Sequence, residues 1–170
     1  MAFALLVPVQ AVAGTQSTLA IKSQSAIYKP STGVVAFRIV FNRPPDFSTT
    51  DELGRQADSF QYFVGSDLPQ NALIFDSIIR GDEIHSTGLI TIRNAFPADP
   101  LPSSGGWGTI RAQVPFTLRG SVLQFSVPLS VLTDRTDVSV IPYQLEGYEF
   151  GSWNGVTIID YIHVKPYRSN

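Results

Sequence analysis

The sequence predicts an all-β fold, an antiparallel β-sandwich of the jelly-roll kind that forms a single domain. Three observations support this prediction. Short segments alternate apolar and polar residues with a period of two, and glycine or proline separates one segment from the next. No segment keeps a 3.6-residue apolar period over the length of a helix. A closed β-barrel is the alternative, because it produces the same pattern.

The clearest strand lies in the segment 121–132. Leu123, Phe125 and Val127 project to one face, and Pro128 ends the strand because it has no N–H to donate. The residues after Pro128 predict one helical turn, and Arg119-Gly120 predicts a hairpin between this strand and the one before it. Alternation and turn residues predict further strands at 19–28, 33–41, 60–64, 73–79, 88–93, 109–116, 138–143 and 156–164.

Composition limits the classes of function. The 170 residues are 44% hydrophobic and 15% charged, which suffices for one domain with a core. The net charge of -2 provides no overall basic footprint, so we expect no nucleic-acid partner. No apolar run reaches the roughly 20 residues of a transmembrane helix, so we expect no membrane span. Cysteine is absent, which excludes disulfides and thiolate ligands.

The N-terminal residues 1–14 form an apolar segment ahead of the expected sandwich domain, residues 15–170. Ala11-Val-Ala13 has the small-x-small form of a signal-peptidase site, although a basic n-region is missing. Two interpretations stay open. The segment is either the remnant of a signal peptide on a secreted, extracellular or cell-surface protein, or an apolar arm of the folded chain.

The strand that runs into Val127-Pro-Leu-Ser-Val-Leu132 resembles a signature of DOMON-like and family-9 carbohydrate-binding sandwiches. The segment Ala57-Asp-Ser-Phe-Gln-Tyr-Phe63 is similar to their aspartate followed by an aromatic strand. The resemblance touches about half of the chain and rests on short motifs. It implies a jelly-roll sandwich that binds sugar or, in some branches, haem held by Met and His. This chain offers only Met1, His85 and His163 for such ligation.

Aromatic residues beside glycines predict the ligand site. Trp107 lies in one glycine-rich segment, and Tyr148 and Trp153 lie in a second one with Glu146 and Asn154. Aromatic rings stack on the apolar face of a sugar, while carboxylate and amide groups bond to its hydroxyls. We therefore expect a non-catalytic carbohydrate-binding module in which these five residues contact the ligand. The alternative interpretation is that the rings cap one end of the sandwich.

A second group of residues suggests calcium, and apart from this ion we expect no cofactor in the predicted module. Asp46, Asp51, Glu52 and Asp58 lie within one short region, and hard oxygen ligands suit this ion. Their spacing does not match an EF-hand loop. A solvated acidic loop is the alternative.

Catalytic motifs are missing from the sequence. No Gly-x-Ser-x-Gly elbow and no His-Glu-x-x-His run occur, although sequence spacing leaves a two-carboxylate site undecided. Asp160 lies within an apolar strand, where a charge either finds a partner or shifts its pKa; a strand-end carboxylate bonded to a loop is the alternative. The alternative function is a structural or assembly subunit of a surface layer, filament or capsid. Its N-terminal arm would then add a strand to the sheet edge of another protein subunit.

Overall fold

The computed structural model describes residues 17–67, 74–95, 108–135 and 138–165. Strands account for 60% of these residues and helices for 6%. Two antiparallel sheets pack together, which confirms the predicted sandwich. Among the described residues no ladder closes the sheets into a barrel. No described helix has the length and apolar character needed to cross a membrane.

The smaller sheet has the strand order β1-β2-β8-β7, and the larger sheet has the order β10-β9-β3-β4-β5-β6. The elements in chain order are β1 (Ile21–Lys29), β2 (Val34–Phe41), β3 (Asp58–Asp67), β4 (Ile74–Arg80), α1 (Ile84–Thr87), β5 (Ile90–Asn94), β6 (Ile110–Val114), β7 (Phe116–Arg119), β8 (Val122–Pro128), α2 (Leu129–Leu132), β9 (Val140–Glu149) and β10 (Ser152–His163).

Aromatic rings fill the space between the sheets. Phe37 of β2 stacks on Phe125 of β8 with ring centroids 4.9 Å apart, and the edge-to-face contact of Phe37 with Tyr62 of β3 spans 5.0 Å. Leu123 and Val127 flank Phe125 on the same face and are fully buried, as the alternation predicts. Burying each such side chain contributes about 1.5–3 kcal/mol, so this layer holds the sheets together.

The chain changes sheets at Pro115, and this corrects one prediction. The segment 109–116 does not form a single strand that pairs with β8. Instead β6 pairs with β5 in the larger sheet, and β7 pairs with β8 in the smaller one. Pro115 has no N–H for a ladder, so the break occurs there. Phe116 then packs against Phe47 from the smaller sheet, with centroids 6.2 Å apart.

A second correction concerns the glycine-rich segment 146–155, which lies between the predicted strands 138–143 and 156–164. β9 continues to Glu149 and β10 begins at Ser152, so the two strands form a hairpin with two turn residues. Phe150 and Gly151 have φ values of 45° and 74°. Positive φ at both central residues matches the right-handed twist of paired strands. The helical turn after Pro128 is confirmed as α2.

Candidate functional site

One polar side chain from each strand of the larger sheet lies in a continuous row on its outer face. The six residues are successive partners in the ladders, and cross-strand partners project to the same side of a sheet. We call this set the polar row; in sheet order it consists of Thr157, Glu146, Gln61, Arg80, Thr91 and Gln113.

Two aromatic residues lie beside one end of the polar row. Trp153 of β10 is the direct partner of Tyr148 of β9, so both rings are on the outer face. Trp153 is 56% exposed. The Tyr148 hydroxyl donates a hydrogen bond to Oε2 of Glu146, and Nε2 of Gln144 donates to Oε1 at 2.6 Å. The structure thus brings Glu146, Tyr148 and Trp153, three of the predicted ligand residues, onto one surface.

Of the other two predicted ligand residues, Asn154 does not join this surface. Nδ2 of Asn154 donates to the Leu19 carbonyl at 2.7 Å, and its side chain lies close over Gly147. The Leu19 N–H in turn donates to Oε1 of Glu149 at 2.6 Å. Asn154 therefore connects the residues before β1 to β10 through its hydrogen bond to the Leu19 carbonyl. Trp107 lies outside the described residues, as does the segment 1–14.

Burial and the neighbouring carboxylate determine the protonation state of Tyr148. Burial, together with the hydrogen bond to Glu146, raises the pKa of Tyr148 above its ordinary value of 10.0. The phenol therefore stays protonated at neutral pH and remains a donor to Glu146. Glu146 keeps lone pairs free, because each carboxylate oxygen can accept more than one hydrogen bond.

Arg80, at the centre of the polar row, is nearly buried. Its side chain is 9% exposed, and Nε donates to Oδ1 of Asp82 at 2.8 Å. Its NH1 group lies 3.6 Å from Oε1 of Glu83, which also pairs with Arg93 at 3.0 Å. These contacts hold the guanidinium in place and neutralise it.

Gln61 is a residue that sequence reasoning missed. It is 6% exposed, and its Oε1 atom has no hydrogen-bond partner in the part of the chain that the structure describes. Leaving a buried acceptor unpaired costs about 1–3 kcal/mol, so this oxygen lowers the stability of the fold. The alternation of Phe60, Tyr62 and Val64 indicates that Gln61 faces outward. Only the fold shows that this outward position is buried.

Within the predicted calcium group, Asp58 and Asp46 bond to protein donors. Asp58 is 2% exposed and accepts two bonds from Arg43, at 2.5 and 2.8 Å, and one from the Asp46 N–H at 2.7 Å. The Asp46 carboxylate accepts from Ser48 and Thr49, and these bonds, led by Thr49, lower the pKa of Asp46 well below 3.8.

The remaining members of that group lie apart from the Arg43–Asp58 pair. Asp51 accepts from the Leu53 and Arg55 N–H groups and pairs with the Arg55 side chain at 2.7 Å, while Glu52 is exposed. The described segments contain no group of three His, Asp or Glu side chains arranged to hold a metal ion. Calcium binding stays a prediction.

Comparisons of the chain with models of protein families, with curated proteins and with solved structures gave no match. The resemblance to DOMON-like and family-9 carbohydrate-binding sandwiches therefore stays a prediction that rests on its short motifs. We therefore base the functional proposal on the outer face of the larger sheet.

Proposed function

We propose that the protein is a non-catalytic, extracellular or cell-surface module that binds a neutral saccharide on the outer face of the larger sheet. One observation carries the proposal: Trp153 and Tyr148 are cross-strand partners beside Glu146, and the Trp153 ring is open to solvent. An exposed ring of this kind provides a flat apolar platform. The carboxylate next to it provides hydrogen-bond acceptors.

The chemistry of the surface matches a sugar in two ways. The Trp153 ring can stack on the apolar face of a pyranose, and stacked rings gain about 0.5–1.5 kcal/mol beyond area burial in aromatic pairs. Glu146 accepts hydrogen bonds from sugar hydroxyls at the ring edge. Apolar contact with a few placed polar groups is the usual composition of a small-molecule site.

The carboxylates around this surface favour binding over hydrolysis. Glycoside hydrolysis uses two carboxyl groups, one on each side of the scissile bond. Glu146 is the carboxylate within the polar row, while Asp82 and Glu83 beside it are ion-paired with Arg80 and Arg93. The polar row therefore presents one carboxylate where hydrolysis requires two.

The test is a glycan array followed by calorimetry on the full chain and its variants. Trp153→Ala should lose at least about tenfold in affinity, or 1.4 kcal/mol, with the melting temperature kept. Tyr161→Ala is the matched control, because Tyr161 is an exposed aromatic residue of the same strand, 46% exposed and eight residues away. Its affinity should stay unchanged. Absence of any bound glycan, or equal losses in both variants, would contradict the proposal.

A structural subunit is the second candidate, and the edge position of β10 favours it. This strand of 12 residues lies at the end of the larger sheet, with Ile159 and Tyr161 each about half exposed. A long apolar edge is a template for strand addition from another chain. Sedimentation of the full chain would then show an oligomer that Ile159→Lys dissociates. Ile27→Lys should leave that oligomer intact, because Ile27 is a similarly exposed residue on β1, an edge strand of the smaller sheet.

A further inference from the structure

The smaller sheet differs in charge from the rest of the chain. Its four strands contain four basic residues, Lys22, Lys29, Arg38 and Arg119, and neither aspartate nor glutamate. The whole chain has 12 basic and 14 acidic residues, so the remainder has 8 basic and 14 acidic residues, a net charge of -6. The sheet itself carries +4. The modest net charge of the protein therefore conceals a separation of charge.

Three of these cations lie on the outer face of the smaller sheet. Phe37 and Ile39 face the core, so Arg38 between them faces outward, in register with Ser25 and Gln124. Lys29 and Arg119 lie on the same face by the same alternation, and all three cations are exposed. None of them forms an ion pair with a residue that the structure describes.

The three cations follow a diagonal across the sheet. Lys29 is on β1, Arg38 is on β2 four positions along the register, and Arg119 is on β7 one outward position further. With about 4.8 Å between strands and about 3.4 Å per residue, neighbouring Cα atoms on the diagonal are ~12–14 Å apart. A shallow concavity of about 610 Å³ lies along this face and includes Lys29 and Arg38. The arrangement suits an extended ligand with repeated negative charge.

The side chains between the cations indicate the class of ligand. Hydroxyl and amide groups of Ser25, Thr117, Gln124 and Ser126 line part of the concavity, and apolar residues, among them Ile27, Ala36, Pro115 and Phe116, line the rest. Ile27 is the large apolar side chain that these strands expose outward on this face. Single-stranded nucleic acid binds on exposed aromatic rings, and these four strands expose none outward. Cations among hydroxyl and amide groups fit a hydrophilic polyanion.

We propose that this face, which we call the cationic face, binds an acidic polysaccharide through its carboxylate or sulfate groups. Lys29, Arg38 and Arg119 pair with successive anionic groups, and Ser25, Gln124 and Ser126 bond to hydroxyls between them. The site is on the opposite side of the sandwich from Trp153. The cationic face shares no residue with the saccharide site of the larger sheet, so either proposal can be wrong while the other holds.

The experiment measures binding of the full chain to heparin, polygalacturonate and neutral dextran over a range of salt concentrations. Heparin or polygalacturonate should bind and dextran should not, with an affinity that falls as salt rises. Arg38→Gln should weaken binding about three- to tenfold and reduce the salt slope by about one. Trp153→Ala should leave this binding unchanged, which separates the site from the saccharide site of the larger sheet.

Arg55→Gln is the matched control, because it removes an exposed cation outside the cationic face. It should bind as the wild type does, and melting temperatures should show that both variants are folded. Equal binding by Arg38→Gln and the wild type would overturn the proposal. Stronger binding of polyglutamate or single-stranded DNA than of either polysaccharide would also overturn it, in favour of a protein or nucleic-acid partner.

Discussion

The polar side chains on the outer faces of the two sheets differ in their burial and in their bonding. On the smaller sheet, Arg38 and Gln124 are exposed and form no ion pair or side-chain hydrogen bond with a described residue. On the larger sheet, Gln61, Arg80 and Thr91 are 6%, 8% and 0% exposed, as buried as many core residues. Alternation alone predicts an exposed outer face for both sheets. The difference shows that outward-facing polar residues become structural wherever other groups cover them.

The energetic consequences of the two arrangements are opposite. An exposed cation without a partner adds little to stability, since solvent screens its interactions. A buried guanidinium needs its carboxylate partners, because a charge without them is expensive in a low-dielectric environment. The buried centre of the polar row, Gln61, Arg80 and Thr91, therefore contributes to the fold. The cations of the cationic face and the Trp153 ring beside the row are exposed and open to a ligand. Stability measurements on matched pairs of residues test this division.

The largest expected effect is at Arg80. Arg80→Leu removes the guanidinium and leaves Asp82 and Glu83 without it, so we expect the free energy of unfolding to fall by about 2 kcal/mol. Arg38→Leu, the matched change on the cationic face, should stay within about 0.5 kcal/mol of the wild type. Urea unfolding followed by circular dichroism measures both. Equal losses in the two variants would show that the faces do not differ as described.

The next effect, with the opposite sign, is at Gln61. Gln61→Met replaces the unpaired oxygen by an apolar group of similar length, so we expect stability to rise by about 1 kcal/mol. Gln124→Met on the cationic face should change stability by less than about 0.5 kcal/mol. A loss of stability in Gln61→Met would mean that the oxygen has a partner in the folded protein.

The predictability of the fold from sequence also differs between the two sheets. The core positions of β8, including Leu123 and Phe125, follow directly from alternation, and Pro128 predicts the end of that strand. The change of sheet at Pro115 does not follow, because the segment 109–116 alternates as one strand would. Its first part pairs as β6 with β5, on the far side of the segment 95–109, whereas Phe116 begins β7, which forms a tight hairpin with β8. Which distant segments pair depends on the tertiary structure, and the local sequence pattern does not determine it.

The candidate site was predictable in its residue types and unpredictable in its geometry. Aromatic and acidic residues beside glycines predict the group of Glu146, Tyr148 and Trp153. The two-residue turn at Phe150 and Gly151 sets the register that makes Tyr148 and Trp153 partners, and an aromatic residue with positive φ is a weak turn signal in sequence. Gln61 was missed because burial of an outward position depends on what packs over it.

The smallest expected effect concerns the edge at which the two sheets meet. Gln24 of β1 donates to Oδ2 of Asp160 of β10 at 2.9 Å, and the Tyr143 hydroxyl lies 3.2 Å from the same atom. For Asp160 the sequence predicts a partner or a shifted pKa, and its partners are side chains of two other strands, not of a loop. The bond from the Tyr161 N–H, followed by those from Gln24 and Tyr143, lowers the pKa of Asp160 below 3.8.

A carboxylate whose pKa is lower in the folded state stabilises the protein above its unfolded pKa, and this contribution is lost as the pH falls through the folded pKa. Asp160 is exposed, so after solvent screening we expect about 0.3 kcal/mol at neutral pH. Asp160→Asn should therefore be slightly less stable than the wild type at about pH 7 and equal to it at about pH 2. Glu52→Gln, at an exposed carboxylate distant in sequence from this edge, should match the wild type at both pH values. Urea midpoints at the two pH values measure the difference. If the difference in stability between Asp160→Asn and the wild type were the same at the two pH values, the charge of Asp160 would not contribute to stability at this edge.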